Sequence, residues 1–202
     1  MQLHKMGFYF NLELPKRPIK LSPGDHVEVT ICKLPFDLTS SFYVNMADMK
    51  AALQKFHSIL NVHANNNAME SKFISIDDVE ANEVVLALHK TLWHRVQKIP
   101  FTNRLVSIDD GIEFVSTKII PSEKSINEVQ PFALKVQLAG IDEKKFDRNV
   151  LKEFLNRHEK FIMHIYLINN QKKYYVELLN DKNISINKLL NVEFEKSIYN
   201  LI

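Results

Sequence analysis

The stretch Leu92–Val115, LWHRVQKIPFTNRLVSIDDGIEFV, decides how the rest of the chain is read. Trp93 to Ile99 alternates large apolar residues with polar ones, Pro100 to Arg104 supplies turn residues, and Leu105 to Ile108 resumes an extended pattern. Asp109-Asp110-Gly111 then reverses the chain into Ile112 to Val115. The product expected is a small, strongly bent antiparallel sheet. Immediately upstream, Val84 to Leu88 (VVLAL) is a continuous apolar run that suits a strand buried on both faces. It leads through His89-Lys90-Thr91 into the Trp93 strand and completes a compact barrel-like unit.

The chain around this unit holds 202 residues, 46% of them hydrophobic, with a net charge of +2. Such a length is enough for one domain or two small ones with a real core. The near balance of charge argues against a strong nucleic-acid footprint, which needs clustered Lys and Arg. One cysteine, Cys32, cannot form an internal disulfide, and in an apolar strand context it is expected to be a buried thiol. No apolar run approaches the roughly 20 residues of a membrane span, and no signal-peptide core stands at the N-terminus. A cytoplasmic location is the expectation.

Outward from the central unit, Met1 to Ser22 reads as a tether. His26 to Leu34 is an alternating strand and Phe42-Tyr43-Val44 its partner. Asn45 is placed to cap a helix marked by Met49, Leu53, Phe56 and Leu60, which the Asn65-Asn66-Asn67 run is expected to end. His57 and His63 lie on or near that helix but, six residues apart, share no face, so no metal pair is expected there. Downstream come a strand at Phe132–Leu138, a helix from about Asp147, a hairpin of Phe161–Ile168 and Tyr174–Leu179, and a terminal helix at Ser185–Leu190.

Trp93-His94-Arg95-Val96, followed by Ser107-Ile108-Asp109-Asp110-Gly111-Ile112 and Glu113, resembles the Tudor pattern of W-Y-R-A followed by F-V-D-Y-G-N and an acidic residue. The order of the flanking elements, with F-Y-V at Phe42–Val44 and L-A-G-I at Leu138–Ile141, is similar to that of extended Tudor domains. In that family a Tudor barrel is inserted into a staphylococcal-nuclease-like OB fold. The resemblance implies a mainly β fold with helices (α+β). The expected limits are an N-terminal extension at 1–20, the first nuclease-like part at 21–75, the Tudor barrel at 79–127 and the second nuclease-like part at 128–202.

The family's function carries over as an expectation. Extended Tudor domains resemble one another as non-catalytic modules of germline piRNA-pathway scaffolds, located in perinuclear germ granules, that bind the Arg-rich N-terminal tails of PIWI-family proteins. Their aromatic cages hold a methylated guanidinium by cation–π attraction. Here the cage positions fall on His89, His94, Ser107, Asp110 and Ile112. Two imidazoles, a serine, a carboxylate and an isoleucine do not make an aromatic box, so the expected ligand is an unmethylated Arg-containing tail. Structural roles fall to Trp93 as a core or junction ring, Arg95 and Asp109 as an ion pair, and Gly111 as the left-handed turn residue. Self-association stays open, as do two alternatives: a methylarginine reader with an atypical cage, and a single-stranded RNA module using Lys172, Lys173, Tyr174 and Tyr175.

Catalysis is not expected. Asp142, Glu143, Asp147 and Arg148 lie in the nuclease-like half, but in a mixed-charge helix start without a second arginine. No glycine-rich phosphate loop is present, and no cofactor or metal is expected.

Overall fold

The computed structural model describes residues 20–32, 39–70, 72–170, 173–191 and 193–194. The expected tether before Lys20, the end of the first strand at Lys33 and Leu34, and the hairpin residue Lys172 lie outside them. The elements are β1 (His26–Ile31), β2 (Ser41–Met46), α1 (Lys50–Glu70), β3 (Val85–His89), β4 (Leu92–Lys98), β5 (Leu105–Ser107), β6 (Glu113–Phe114) and β7 (Ile119–Pro121). After them come α2 (Lys124–Asn127), β8 (Ala133–Leu138), α3 (Arg148–Arg157), β9 (Phe161–Ile168), β10 (Tyr174–Leu179) and α4 (Ile186–Leu190). The architecture is α+β and dominated by strands.

Strands from both ends of the chain close one barrel in the order β1-β2-β8-β10-β9. β2 runs antiparallel to β8 with Phe42 opposite Val136, and β1 returns to β9 with Val29 opposite Phe161. The alternation read in the sequence sends Val29, Phe42, Val44, Val136, Leu138, Phe161, Met163, Val176 and Leu178 into a single core. The inward face of α3, Leu151, Phe154 and Leu155, packs on this core. That helix starts where Asp147 accepts the N–H groups of Asn149 and Val150, the N-cap arrangement its sequence favours.

Between β2 and β8 the chain builds a second, antiparallel sheet in the order β6-β5-β4-β3-β7. Its edge strands contribute Phe114 and Ile119 to the same cluster as Val85, Ala87, Val96 and Leu105, so the sheet must bend around them. β3 is covered on both faces. Val85 and Ala87 face this cluster, while Leu86 faces α1 and joins Phe56, Leu60, Trp93, Ile120 and Phe132.

Two expectations about α1 need correction. Asn45 is not its cap: it lies within β2, paired with Thr30 on one side and Ala133 on the other, and strand pairing on both sides holds its backbone extended. Nor does Asn65-Asn66-Asn67 end the helix, which continues to Glu70. Asparagine is a weak helix former, but here its side chains gain partners across the helix face that offset the preference. Asn61 Oδ1 accepts the Trp93 backbone N–H at 2.7 Å, Asn65 Oδ1 accepts the Trp93 indole N–H at 2.8 Å, and Asn67 donates to Glu123 at 3.1 Å. The polar run is a docking strip.

Candidate functional site

The site grows from the turn between β5 and β6. Ser107 Oγ accepts the N–H groups of Asp109 and Asp110, the Gly111 N–H donates to the Ser107 carbonyl at 3.0 Å, and the Ile112 N–H reaches Asp110 Oδ1 at 3.3 Å. Gly111 adopts φ +66°, a conformation that costs an L side chain strain. Space forbids a side chain as well: a Cβ there would stand 2.5 Å from Tyr43 Cβ on β2. The glycine thus lets the turn press on the barrel.

The two consecutive aspartates diverge. Asp109 is fully buried and forms a two-pronged pair with Arg95, Nε to Oδ2 at 2.9 Å and Nη2 to Oδ1 at 2.5 Å. The remaining Arg95 donors go to the carbonyls of Ile126, Val129 and Gln130, and its guanidinium lies 4.6 Å from the Phe56 ring centre. Asp110 points the other way, into a cavity of about 930 Å³. Cys32 just beyond β1 lines it with Asn45 and Met46 of β2, with Lys50, Leu53 and His57 of α1, and with Leu155 and His158 of the α3–β9 corner.

Burial pushes the Asp110 carboxyl up, but the facing His94 imidazole, the Ser107 hydroxyl and the Ile112 N–H outweigh it and hold it below the usual carboxylate range. Asp110 is therefore an anion at neutral pH. Burial, reinforced by Asp110, pushes the Cys32 thiol far up, so it stays protonated and poorly nucleophilic. Burial holds His57 below the ordinary imidazole range, His94 and Arg95 acting in the same sense against the attraction of Asp110 and Asp109.

The expected cage positions do not form an open box. Ser107 is fully buried, His94 is 4% exposed, and Ile112 packs against the core of the inserted sheet. The His89 ring lies 4.5 Å from Phe114 and 6.1 Å from His94, and His94 lies 5.6 Å from Phe114, so these rings fill one another's faces. Trp93 is buried against α1 rather than in the cavity.

His57, weighed in the sequence only as a partner of His63, meets other groups here. Its ring centre lies 5.6 Å from that of His94, nearly edge-on, and His94 Nδ1 stands 3.2 Å from Asp110 Oδ2. The three come from α1, β4 and the β5–β6 turn, so no local spacing announces them.

The carboxylates weighed for nuclease chemistry are engaged elsewhere. Glu143 accepts from the Ser40 N–H and hydroxyl, Asp147 caps α3, and Asp142 pairs with Lys145 at the surface. At the hairpin, Lys173 Nζ lies 5.8 Å from the Tyr175 ring centre, while Tyr174 packs on the barrel core.

No protein-family model matches the chain, and no curated protein matches it. Solved structures do. The human TDRD1 extended Tudor domain, in complex with a symmetrically dimethylated peptide, superposes with a TM-score of 0.70 at 15% identity, over 87% of this chain and 92% of that one. The complex of Tudor with dimethylated Aubergine gives 0.63 at 18% identity, over 83% and 100%. Mouse TDRD1 domain TD3 with a MILI peptide containing dimethylarginine gives 0.64 at 14% identity, over 87% and 94%. The superpositions span 92–100% of those domains, and the chain has the extended Tudor fold.

Proposed function

We propose that this chain is a non-catalytic peptide-binding module that takes an Arg-containing segment with its guanidinium unmethylated. The observation that carries the reading is the ionised Asp110 carboxylate facing the large cavity at a position where the family places a ring. An unmodified guanidinium presents five donors in a planar fork that a carboxylate meets directly, whereas dimethylation removes donors and adds apolar bulk without changing the charge. A methylated ligand would need aromatic faces, and His89, His94 and Phe114 are turned on one another. The structurally similar domains were solved with dimethylated peptides, those of Aubergine and MILI among them, which supports an Arg-containing ligand in the same fold. The partner proposed is the Arg-rich N-terminal tail of a PIWI-family protein, bound within a germ-granule scaffold in the cytoplasm.

The test is calorimetric titration of one tail peptide in unmethylated and symmetrically dimethylated forms. Wild type is expected to prefer the unmethylated form, and Asp110→Asn to lose about 1.5–3 kcal/mol of binding, a ten- to hundredfold weakening. Equal or tighter binding of the dimethylated peptide would overturn the reading.

A further inference from the structure

The wall of the cavity at Asp110 contains a set of donors that peptide binding does not explain. One ring nitrogen each from His57 and His94 and a carboxylate oxygen of Asp110 all lie within 4.8 Å of one another. His57 Nε2 and His94 Nδ1 are sealed from solvent and lack a hydrogen-bond partner. The 3.2 Å approach of His94 Nδ1 to Asp110 is within ion-pair range, but its angles do not make a hydrogen bond. A buried polar nitrogen left without a partner costs about 1–3 kcal/mol. His57 Nε2 has no partner and His94 Nδ1 only the poorly angled ion pair with Asp110, so the two ring nitrogens beside one carboxylate share a missing partner. A cation at their centre would supply it.

We propose that His57, His94 and Asp110 form a binding site for a late first-row divalent metal ion of the Zn²⁺ type. Two imidazoles and one carboxylate are a donor set such ions favour over the all-oxygen shells of Mg²⁺ and Ca²⁺. Tetrahedral bonds of about 2.0–2.1 Å set donor atoms about 3.3 Å apart. The His94–Asp110 distance of 3.2 Å matches already, and with all three donors within 4.8 Å of one another His57 has at most about 1.5 Å to close. Three protein donors leave a fourth position open, and two of them, His57 and Asp110, line the cavity with Cys32, Asn45 and Leu53. Of the neighbouring cations, Arg95 is already balanced by Asp109, while Lys50, Lys152 and Lys160 stand on the cavity wall.

The ion would tie α1, β4 and the β5–β6 turn at one point, and it would compete with a guanidinium for Asp110. The site does not depend on the peptide reading, because its donors are placed by the fold alone.

The experiment is titration of the chain, freed of metal by chelation, with Zn²⁺ and separately with Co²⁺, following heat and the visible absorption of tetrahedral Co²⁺. One ion per chain is expected, with a dissociation constant on the order of micromolar or tighter, and with no comparable binding of Mg²⁺. His57→Gln and Asp110→Asn are each expected to weaken binding about a hundredfold or more, since each removes a direct ligand. His57→Gln, on a half-buried helix face, serves where His94 variants fail to fold, and unchanged thermal unfolding of the chelated variants certifies them. Absence of one-to-one binding, or binding that survives both substitutions, overturns the site. No peptide enters this titration, so its failure leaves the peptide reading intact, and failure of the peptide titration leaves the metal site intact.

Discussion

Arg95 uses all five of its donors inside the protein. Two go to Asp109 and three to carbonyls of the segment that leads out of the inserted sheet. Lysine offers three donors from a single point and cannot cover both partners at once. Arg95→Lys, leaving Asp109 buried and half-satisfied, is expected to cost about 3–5 kcal/mol, read as a drop in thermal midpoint on the order of 10 °C. A midpoint unchanged within error would show that the network contributes little. The pairing is legible in the sequence because W-x-R lies on β4 and D-x-G in the turn just after its neighbour β5, as in the Tudor pattern the stretch resembles. His57 is not legible, since its neighbours in space, His94 and Asp110, lie far away along the chain. Nothing in the spacing of a helix betrays what a loop brings against it.

At the scale of elements, α1 shows how tertiary partners override local preference. A run of three asparagines signals a stop, and only the presence of Trp93 and Glu123 opposite explains why the helix runs through it. The strands were more legible than the helix ends, because alternation survives any register while a cap depends on what precedes it. One strand pairing carries a pH response. His26 on β1 stands opposite His164 on β9, their rings stacked at 4.1 Å, with Tyr166 packed at 4.5 Å and Glu177 4.0 Å away. Burial and then His26 hold His164 below its ordinary value of 6.5, against the pull of Glu177. The folded state therefore takes up the proton less readily than the unfolded chain. The stability this represents is intact above pH 6.5 and is lost as the pH falls below it, through the depressed folded value. Urea unfolding is expected to show an acid-side loss that shrinks in His164→Gln. An identical loss in the variant would assign the response to other groups.

For the whole molecule, the inserted sheet and the helix share a core. Leu86, Trp93 and Ile120 meet Phe56, Leu60 and Ala64 of α1 together with Phe132 beyond the insertion. A fragment cut at 79–127 would expose that face and leave Arg95 without the carbonyls of Val129 and Gln130. It is expected to aggregate or to lack a cooperative unfolding transition, measured by dispersion of its amide resonances and by calorimetry. A dispersed, cooperatively melting fragment would show that the sheet is self-sufficient. The overall layout was readable because the order of strands and helices is set by patterns local to each segment. The packing of the two units on one another was readable at Trp93, expected as a core or junction ring, but its partners Phe56, Leu60 and Phe132 were not, because those side chains meet only after both units have formed.

The split barrel also sets a clock on synthesis. β2 finds its neighbour β8 only across roughly ninety residues of chain, Phe42 waiting for Val136. At translation rates of about 5–20 residues per second, that interval is about 5–20 s. For that time the β1–β2 hairpin leaves the ribosome with an unpaired apolar edge, the kind of surface that recruits another chain. The inserted sheet and α1 emerge first and can fold against each other while the hairpin waits, so slowing translation within the insertion would lengthen the exposure and favour misassembly without altering a single residue.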